Sequence, residues 1–233
     1  AAHPSQPGGW APPSDVAEGG TPLGGSTSPA CPAPASLRVL DLCTGSGCIA
    51  WTLALDLPGA QVVATDLSQD ALDLADSQFR TASGRTSRLP KGALRPRFVK
   101  ADLLDVEATV AAVGAAGAAP PCSYDLLTAN PPYVMVAEKA GMRQNVLGWE
   151  PHMAIFAPDS DPLAFHKAIA LVALRVLVPG GLGIVEINSE LPDETAGVFT
   201  KAGFSDVRIL PDYFDRPRFI SFRSCRPQFV TQL

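Results

Sequence analysis

The tetrapeptide Asn130-Pro131-Pro132-Tyr133 holds the residues best suited to chemistry in this sequence. Both proline rings fix their own φ, and each proline restricts the residue before it to extended backbone, so the loop is stiff. Asn130 offers a side-chain oxygen and Pro131 a backbone oxygen, and two fixed acceptors suit a substrate –NH₂ group. Such a group would direct its lone pair at an electrophile without a general base, because the nitrogen sheds its proton after it becomes cationic. Tyr133 would pack on the flat face of the amide or base that carries the –NH₂.

A second group of residues, Thr44-Gly45-Ser46-Gly47, follows a buried apolar run and opens a helical pattern. Glycine lets the backbone approach a ligand closely, and a helix N-terminus offers unpaired N–H groups. Asp66, at the end of the next apolar run, is placed to accept hydrogen bonds from ribose hydroxyls. The pattern fits a dinucleotide as well as a methyl-donor cofactor, so an NAD-dependent oxidoreductase is an open alternative.

Two acidic residues favour S-adenosylmethionine over a dinucleotide. Asp41 lies four residues before Gly45, where it can face the ammonium group of a methionine moiety. A pyrophosphate would gain nothing from a carboxylate at that place. Asp102 suits the exocyclic amine of an adenine and Leu103 its ring face. The carboxyl ends of three strands therefore predict a site for S-adenosylmethionine.

Strands and helices alternate along the chain and would position these residues. Strands are predicted at 37–42, 61–65, 97–100, 124–129, 182–187, 207–210 and 219–222. Helices are predicted between them, and Ile49, Leu53 and Leu57 are expected to form the buried face of the first. Such alternation predicts a doubly wound α/β fold with a mostly parallel seven-stranded sheet, whose ligands lie at the carboxyl ends of the strands.

Composition limits the remaining possibilities. The chain has 233 residues, 46% of them hydrophobic, which is enough for one core. Residues 1–36 contain eight of the 23 prolines and are expected to be a disordered tail or linker, with a catalytic domain over 37–233. No apolar run approaches the ~20 residues of a membrane helix, so no membrane association is expected.

Charge and cysteine content argue against two classes of partner. The net charge of −5 disfavours a stable complex with nucleic acid. A cluster of Arg and Lys between residues 80 and 100 is interpreted as a solvated loop. The five cysteines form no CxxC pair and the three histidines have no ligand spacing, so reduced thiols and no metal site are expected.

The string Asp41-Leu42-Cys43-Thr44-Gly45-Ser46-Gly47-Cys48-Ile49-Ala50, together with Asn130-Pro131-Pro132-Tyr133, closely resembles the release factor glutamine methyltransferases, the HemK-like family. The likeness covers Leu37 to about Phe222. It also includes four shorter strings: Trp149-Glu150-Pro151, Pro179-Gly180-Gly181, Glu186-Ile187-Asn188 and Arg216-Pro217-Arg218.

The resemblance implies a class I S-adenosylmethionine-dependent methyltransferase fold. It implies N5-methylation of the glutamine amide in the Gly-Gly-Gln loop of a peptide-chain release factor, which would be the protein partner of an expected monomer. Thr44 to Gly47, Asp66 and Leu67 would hold the cofactor, and Asp102 and Leu103 would lie at its adenine. Asn130 would touch both cofactor and substrate, and Asn130 to Tyr133 would form the glutamine pocket.

The chain departs from the family at its N-terminus, where members commonly carry a helical domain that grips the release factor. Here a Pro/Gly-rich segment precedes the first strand, and with the loop at 81–96 it favours a mitochondrial over a cytoplasmic location. The alternatives kept open are an amino-methyltransferase that acts on adenine or guanine of nucleic acid, the oxidoreductase, and a non-catalytic scaffold.

Overall fold

The computed structural model describes residues 36–78, 89–117, 122–141 and 151–225. They lie in one compact unit, Pro34–Leu233. A second unit, Ala1–Ala33, lies outside the described residues, as does almost all of the tail predicted over 1–36.

Strands and helices alternate through the described chain, as the sequence predicts. The strands are β1 (Arg38–Leu42), β2 (Gln61–Asp66), β3 (Arg97–Lys100), β4 (Tyr124–Ala129), β5 (Leu177–Glu186), β6 (Ser205–Pro211) and β7 (Pro217–Arg223). The helices are α1 (Cys48–Asp56), α2 (Gln69–Ser77), α3 (Val106–Gly117), the short α4 (His152–Ile155), α5 (Ala164–Val176) and α6 (Pro192–Lys201). A 3₁₀ helix, Val136–Gly141, follows the loop after β4.

The seven strands form one sheet in the order β3-β2-β1-β4-β5-β7-β6. All neighbouring pairs are parallel except those of β7, which runs antiparallel to β5 and to β6. The predicted doubly wound, mostly parallel seven-stranded sheet is confirmed. Because β4 lies directly beside β1, the loop after β4 and the loop after β1 meet at the same edge of the sheet.

Both faces of the sheet are covered, because alternate residues of a buried strand point to opposite sides. On one face, Val39 packs with Ala50 and Ala54 of α1. On the other, Leu40 joins a larger core. The aromatic part of that larger core contains Phe199 and Phe222, whose rings stack with centroids 4.3 Å apart.

The structure corrects one part of the predicted face of α1, because Leu53 and Leu57 pack against the core and Ile49 does not. Its buried residues are Ala50, Trp51 and Ala54, whereas Ile49 is 36% exposed. The small alanines let the helix approach the sheet closely. The indole nitrogen of Trp51 donates to the carbonyl of Ala75 in α2 at 2.8 Å.

A second correction concerns β5, which begins at Leu177 and not at 182 as predicted. Its first half pairs with the chain beyond β7, since Gly180 N donates to Ser224 O at 2.8 Å and Ser224 N to Gly181 O at 2.9 Å. None of the helices in the described part of the chain has the length and apolar character that crossing a bilayer requires.

Candidate active site

The turn between β1 and α1 brings backbone N–H groups to the carboxyl edge of the sheet. Cys43, Gly45 and Gly47 all adopt positive φ, at 56°, 54° and 81°. A Cβ on Gly47 would lie 2.8 Å from the Cβ of Ala75, so this glycine permits close packing of α1 on α2. Gly47 is buried and is not among the described lining of the cavity below, so its predicted contact with a cofactor stays a prediction.

Asp66 fixes the turn from the end of β2. Its Oδ2 accepts from Gly45 N at 2.8 Å and its Oδ1 accepts from Ser68 N at 2.9 Å. Ser68 in turn caps α2, with its hydroxyl accepting from Ala71 N. The carboxylate is therefore oriented by two backbone donors, and each oxygen keeps a further lone pair for a ligand.

Asp41 lies beneath the same turn and is completely buried. Its Oδ2 accepts from the Thr44 hydroxyl at 2.6 Å and its Oδ1 from the Thr128 hydroxyl at 2.7 Å. Burial raises the pKa of Asp41 from 3.8 to about 6, although both threonine hydroxyls and the Ala50 amide favour the ionised form. Thr44 lines the cavity and Asp41 does not. The Asp41 carboxylate is therefore linked to the cavity wall by its hydrogen bond with the Thr44 hydroxyl.

A cavity of about 850 Å³ opens above the turn. Its wall contains Thr44, Gly45, Ser46, Asp66, Leu67, Asp102, Leu103 and Asn130 among the residues predicted to bind cofactor or substrate. The described lining carries three carboxylates, from Asp66, Asp70 and Asp102, and no Lys, Arg or His. Because such a wall repels phosphate groups and attracts cations, it opposes a pyrophosphate and suits a ligand with ammonium and sulfonium charges.

Part of the cavity wall is apolar. Leu103 is buried with 6% of its surface exposed, and Ile49, Leu74 and Phe165 also line the wall. Asp102 stands at the rim, where its Oδ1 accepts from Leu104 N at 3.0 Å. A flat ring with an exocyclic amine fits between such apolar side chains and such a carboxylate. Asp102 and Leu103 line the same cavity, and their predicted contacts with an adenine stay a prediction.

The loop after β4 contributes two residues to the cavity wall. Asn130 is exposed and Pro132 is buried, and both line the same wall as Gly45 and Asp66. Pro131 is buried outside the described lining. Asn130 therefore lies at the same cavity as the glycine turn. A substrate contact of the Pro131 carbonyl stays a prediction.

Tyr133 is held by charged residues of β5 and β7. Its hydroxyl donates to Glu186 Oε1 at 2.7 Å and accepts from Arg218 Nη1 at 3.2 Å. Desolvation and the Glu186 carboxylate raise the pKa of Tyr133 to about 12, which keeps the hydroxyl protonated. The tyrosine thus anchors the loop through its hydroxyl. The predicted packing of its ring on the substrate stays a prediction.

Sequence reasoning assigned no role to the side chains that support this loop. Asn188 Nδ2 donates to the Tyr133 carbonyl at 3.1 Å and to Glu138 Oε1 at 2.6 Å. Glu138 also accepts from Met135 N at 2.9 Å. The strings Glu186-Ile187-Asn188 and Arg216-Pro217-Arg218 were signals for part of this network, but only as places of resemblance.

Thiols and metal ligands add nothing further to the site. Cys43 lines the cavity, and burial raises the pKa of its thiol, so it stays neutral. Cys43, Cys48 and Cys225 are free thiols. Across the four described ranges, no cluster of three or more His, Cys, Asp or Glu could hold a metal ion.

Solved structures share this fold. A methyltransferase from Pyrococcus furiosus matches 82% of the chain with a TM-score of 0.52 at 14% identity, over 76% of its own length. A predicted O-methyltransferase from Agrobacterium tumefaciens matches 83% of the chain with a TM-score of 0.51 at 17% identity, also over 76% of its length. The fold is that of the class I S-adenosylmethionine-dependent methyltransferases.

Curated proteins of similar sequence indicate a narrower group of methyltransferases than the fold does. A release factor glutamine methyltransferase from Bacteroides thetaiotaomicron is 35% identical over 188 residues, which is 81% of this chain and 60% of the relative. One from Cereibacter sphaeroides is 38% identical over 185 residues, or 79% of this chain and 59% of the relative. No family model matches the chain. The resemblance to the release factor glutamine methyltransferases is confirmed, and the chain spans about three-fifths of the length of these relatives.

Proposed function

We propose that this chain catalyses S-adenosylmethionine-dependent N5-methylation of a glutamine side-chain amide in the Gly-Gly-Gln loop of a peptide-chain release factor. The observation that carries the proposal is the position of Asn130. This residue lines the same cavity as Gly45 and Asp66. The names of the curated relatives support the substrate, and the acidic cavity wall supports a cationic cofactor.

The donor set of the cavity fits the cofactor. Asp66 would bind the ribose hydroxyls, Thr44 and the buried Asp41 behind it would lie towards the ammonium group, and Asp102 and Leu103 would hold the adenine. When bound there, S-adenosylmethionine supplies an electrophilic methyl group. The same wall disfavours the NAD-dependent alternative, since it has no cation for a pyrophosphate among its described residues.

Asn130 would act by orientation. Its side-chain oxygen would accept one hydrogen of the glutamine –NH₂, which turns the nitrogen lone pair towards the methyl group. The stiffness of Pro131 and Pro132 and the anchored Tyr133 would hold the backbone of this loop in place before the substrate arrives. Once methylated, the nitrogen is cationic and loses a proton without a dedicated base.

Mass spectrometry of an intact release factor after incubation with enzyme and cofactor tests the proposal. We expect a gain of one methyl group on the Gly-Gly-Gln glutamine. Asn130→Ala should lower kcat by ~100-fold or more while the Kd for S-adenosylmethionine changes by only a few fold. The exposed substitution Gln69→Ala on α2 serves as a matched control and should change neither quantity.

Two results would count against the proposal. An unmodified glutamine in the wild-type reaction would remove the substrate assignment. Near-normal turnover by Asn130→Ala would remove the orienting role while leaving the substrate assignment intact. The mitochondrial location stays a prediction, which imaging of a fluorescent fusion of the whole reading frame would test.

A further inference from the structure

The turn between β6 and β7 presents two aromatic side chains to solvent. Tyr213 is fully exposed and Phe214 is 78% exposed. Turns normally contain small or polar residues, because an aromatic ring that stays exposed keeps its apolar surface in contact with water. Two adjacent rings at the tip of one turn are typical of a contact surface.

This turn is well ordered, so the exposure does not come from a loose loop. Asp212 Oδ1 accepts from Phe214 N at 2.8 Å and from Arg216 N at 3.1 Å. Asp212 Oδ2 accepts from Arg216 Nη2 at 3.0 Å. The Arg216 guanidinium also lies 5.3 Å from the centroid of the Phe214 ring. A turn backbone and a Phe214 ring held in this way lose little conformational entropy when a partner covers them.

The turn lies at the edge of the sheet that carries the candidate active site. Since β6 is antiparallel to β7 and β7 is antiparallel to β5, β6 ends at the same edge as β4. Arg218 links the two places, because it contacts Asp212 at 3.8 Å and the Tyr133 hydroxyl at 3.2 Å. Three strand spacings of ~4.8 Å put the turn roughly 15 Å from the end of β4.

We infer that Tyr213 and Phe214 are a docking surface for an apolar patch on the protein substrate, outside the glutamine that reacts. This inference rests on the proposed function. A protein whose side chain reaches Asn130 would extend over the 15 Å to the turn, and there it would bury both rings. Rigid, exposed aromatic rings next to a reaction site are the kind of residue that dominates binding energy in protein interfaces.

The size of the surface argues against a second copy of this chain. Two aromatic side chains bury at most about 500 Å², below the ~800 Å² per partner that a standard interface buries. We therefore expect Tyr213 and Phe214 to form one part of a larger contact, which continues through Arg218 to the loop after β4.

The charge of the turn argues against nucleic acid. Asp212 and Asp215 balance Arg216 and Arg218, so the segment has no net positive charge. The nearby cavity wall carries carboxylates and no described cation. Counterion release would not favour the binding of a phosphate backbone here, because this edge has no excess of Lys and Arg to neutralise phosphates. The binding of an apolar patch on a polypeptide does not depend on counterion release.

The double substitution Tyr213→Ala/Phe214→Ala tests the inference in steady-state kinetics with an intact bacterial release factor. Both rings are outside the core, so the thermal midpoint of unfolding should stay unchanged. We expect KM for the release factor to rise roughly 10- to 100-fold, with kcat and the Kd for S-adenosylmethionine unchanged. Leu171→Ala removes another exposed apolar side chain, 49% exposed on α5, and should leave KM unchanged.

The other outcomes overturn the inference. An unchanged KM in the double variant, with a wild-type enzyme that methylates the release factor, would remove the docking surface and leave the proposed function standing. No methylation by the wild-type enzyme would remove both. An RNA gel shift that the double variant abolishes would assign the rings to nucleic acid, and a dimer in sedimentation that it abolishes would assign them to a second copy.

Discussion

Replacing Asp41 by Asn tests whether the buried carboxylate lowers the free energy of unfolding of the protein while it strengthens binding of the ligand. Asn is nearly isosteric, and its amide can accept from one threonine hydroxyl and donate to the other, so the contacts with Thr44 and Thr128 can be kept. The substitution removes only the ionisable group. We expect Asp41→Asn to be more stable than the wild type at pH 8 and to bind S-adenosylmethionine less tightly.

The size of the stability effect follows from the pKa. Asp41 titrates near 3.8 in the unfolded chain and near 6 in the folded one. Because the folded pKa is the higher one, the stabilisation from this group is complete below pH 3.8 and is lost as the pH rises through about 6. A factor of ten in proton affinity is worth 1.36 kcal/mol, so the difference amounts to about 3 kcal/mol. Most of this loss should occur between pH 4 and pH 7.

Urea unfolding of both proteins at pH 4 to 8 measures this loss. The free energy of unfolding of Asp41→Asn minus that of the wild type should rise with pH and level off above pH 7. Asp56→Asn, at an exposed position on α1, is the matched control and should show no such rise. A pH-independent difference between Asp41→Asn and wild type would refute the reasoning that burial holds Asp41 partly protonated.

Ligand binding gives a second readout of the same variant. A cationic group near Thr44 would favour the ionised carboxylate, so the wild-type Kd for S-adenosylmethionine should fall as the pH rises through about 6. Isothermal titration should show this trend in the wild type and not in Asp41→Asn, whose Kd should be ~10-fold or more higher. Equal affinities at pH 8 would mean that Asp41 serves only the turn.

Two further predictions concern the turn and the loop. Gly47→Ala should lower the free energy of unfolding by ~2 kcal/mol or more in denaturant titration, since it combines a positive φ with a 2.8 Å approach to Ala75, and a loss below 0.5 kcal/mol would contradict that packing. Tyr133→Phe removes the donor to Glu186 and should cost ~1 to 2 kcal/mol in the same assay. Its kcat should fall several fold at an unchanged Kd for S-adenosylmethionine, and an unchanged kcat would show that the anchor does not position Asn130.

Much of the fold could be predicted because local patterns and tertiary structure agree. The strands Tyr124–Ala129 and Arg97–Lys100 have the bounds that the sequence predicts. Ser68 caps α2, as its residue type favours. The exposure of Ile49 on α1 could not be predicted in this way. Ile49 has the spacing of a core residue, yet it lines the ligand cavity, and hydrophobic periodicity does not distinguish a core from an apolar pocket wall.

The side chains that hold the loop of the candidate site could not be predicted from the sequence, for a similar reason. Glu186 and Arg218 are 32 residues apart in the chain and meet Tyr133 only because β7 returns antiparallel beside β5. The partners of Asp41 show the same limit. Thr128 is 87 positions away, and it reaches the carboxylate because β1 and β4 pair in a register that places the two residues side by side.

The sequence by itself determined the alternation of strands and helices, the glycine turn and the stiff Asn130-Pro131-Pro132-Tyr133 loop, because each depends on residue types that are close along the chain. Only the tertiary structure decided that the cavity wall is anionic, that Asp41 is buried with a raised pKa, and that Tyr213 and Phe214 stand exposed at the edge of the candidate site. These properties depend on desolvation and on which distant segments become neighbours, and both follow from the order and direction of the strands in the sheet.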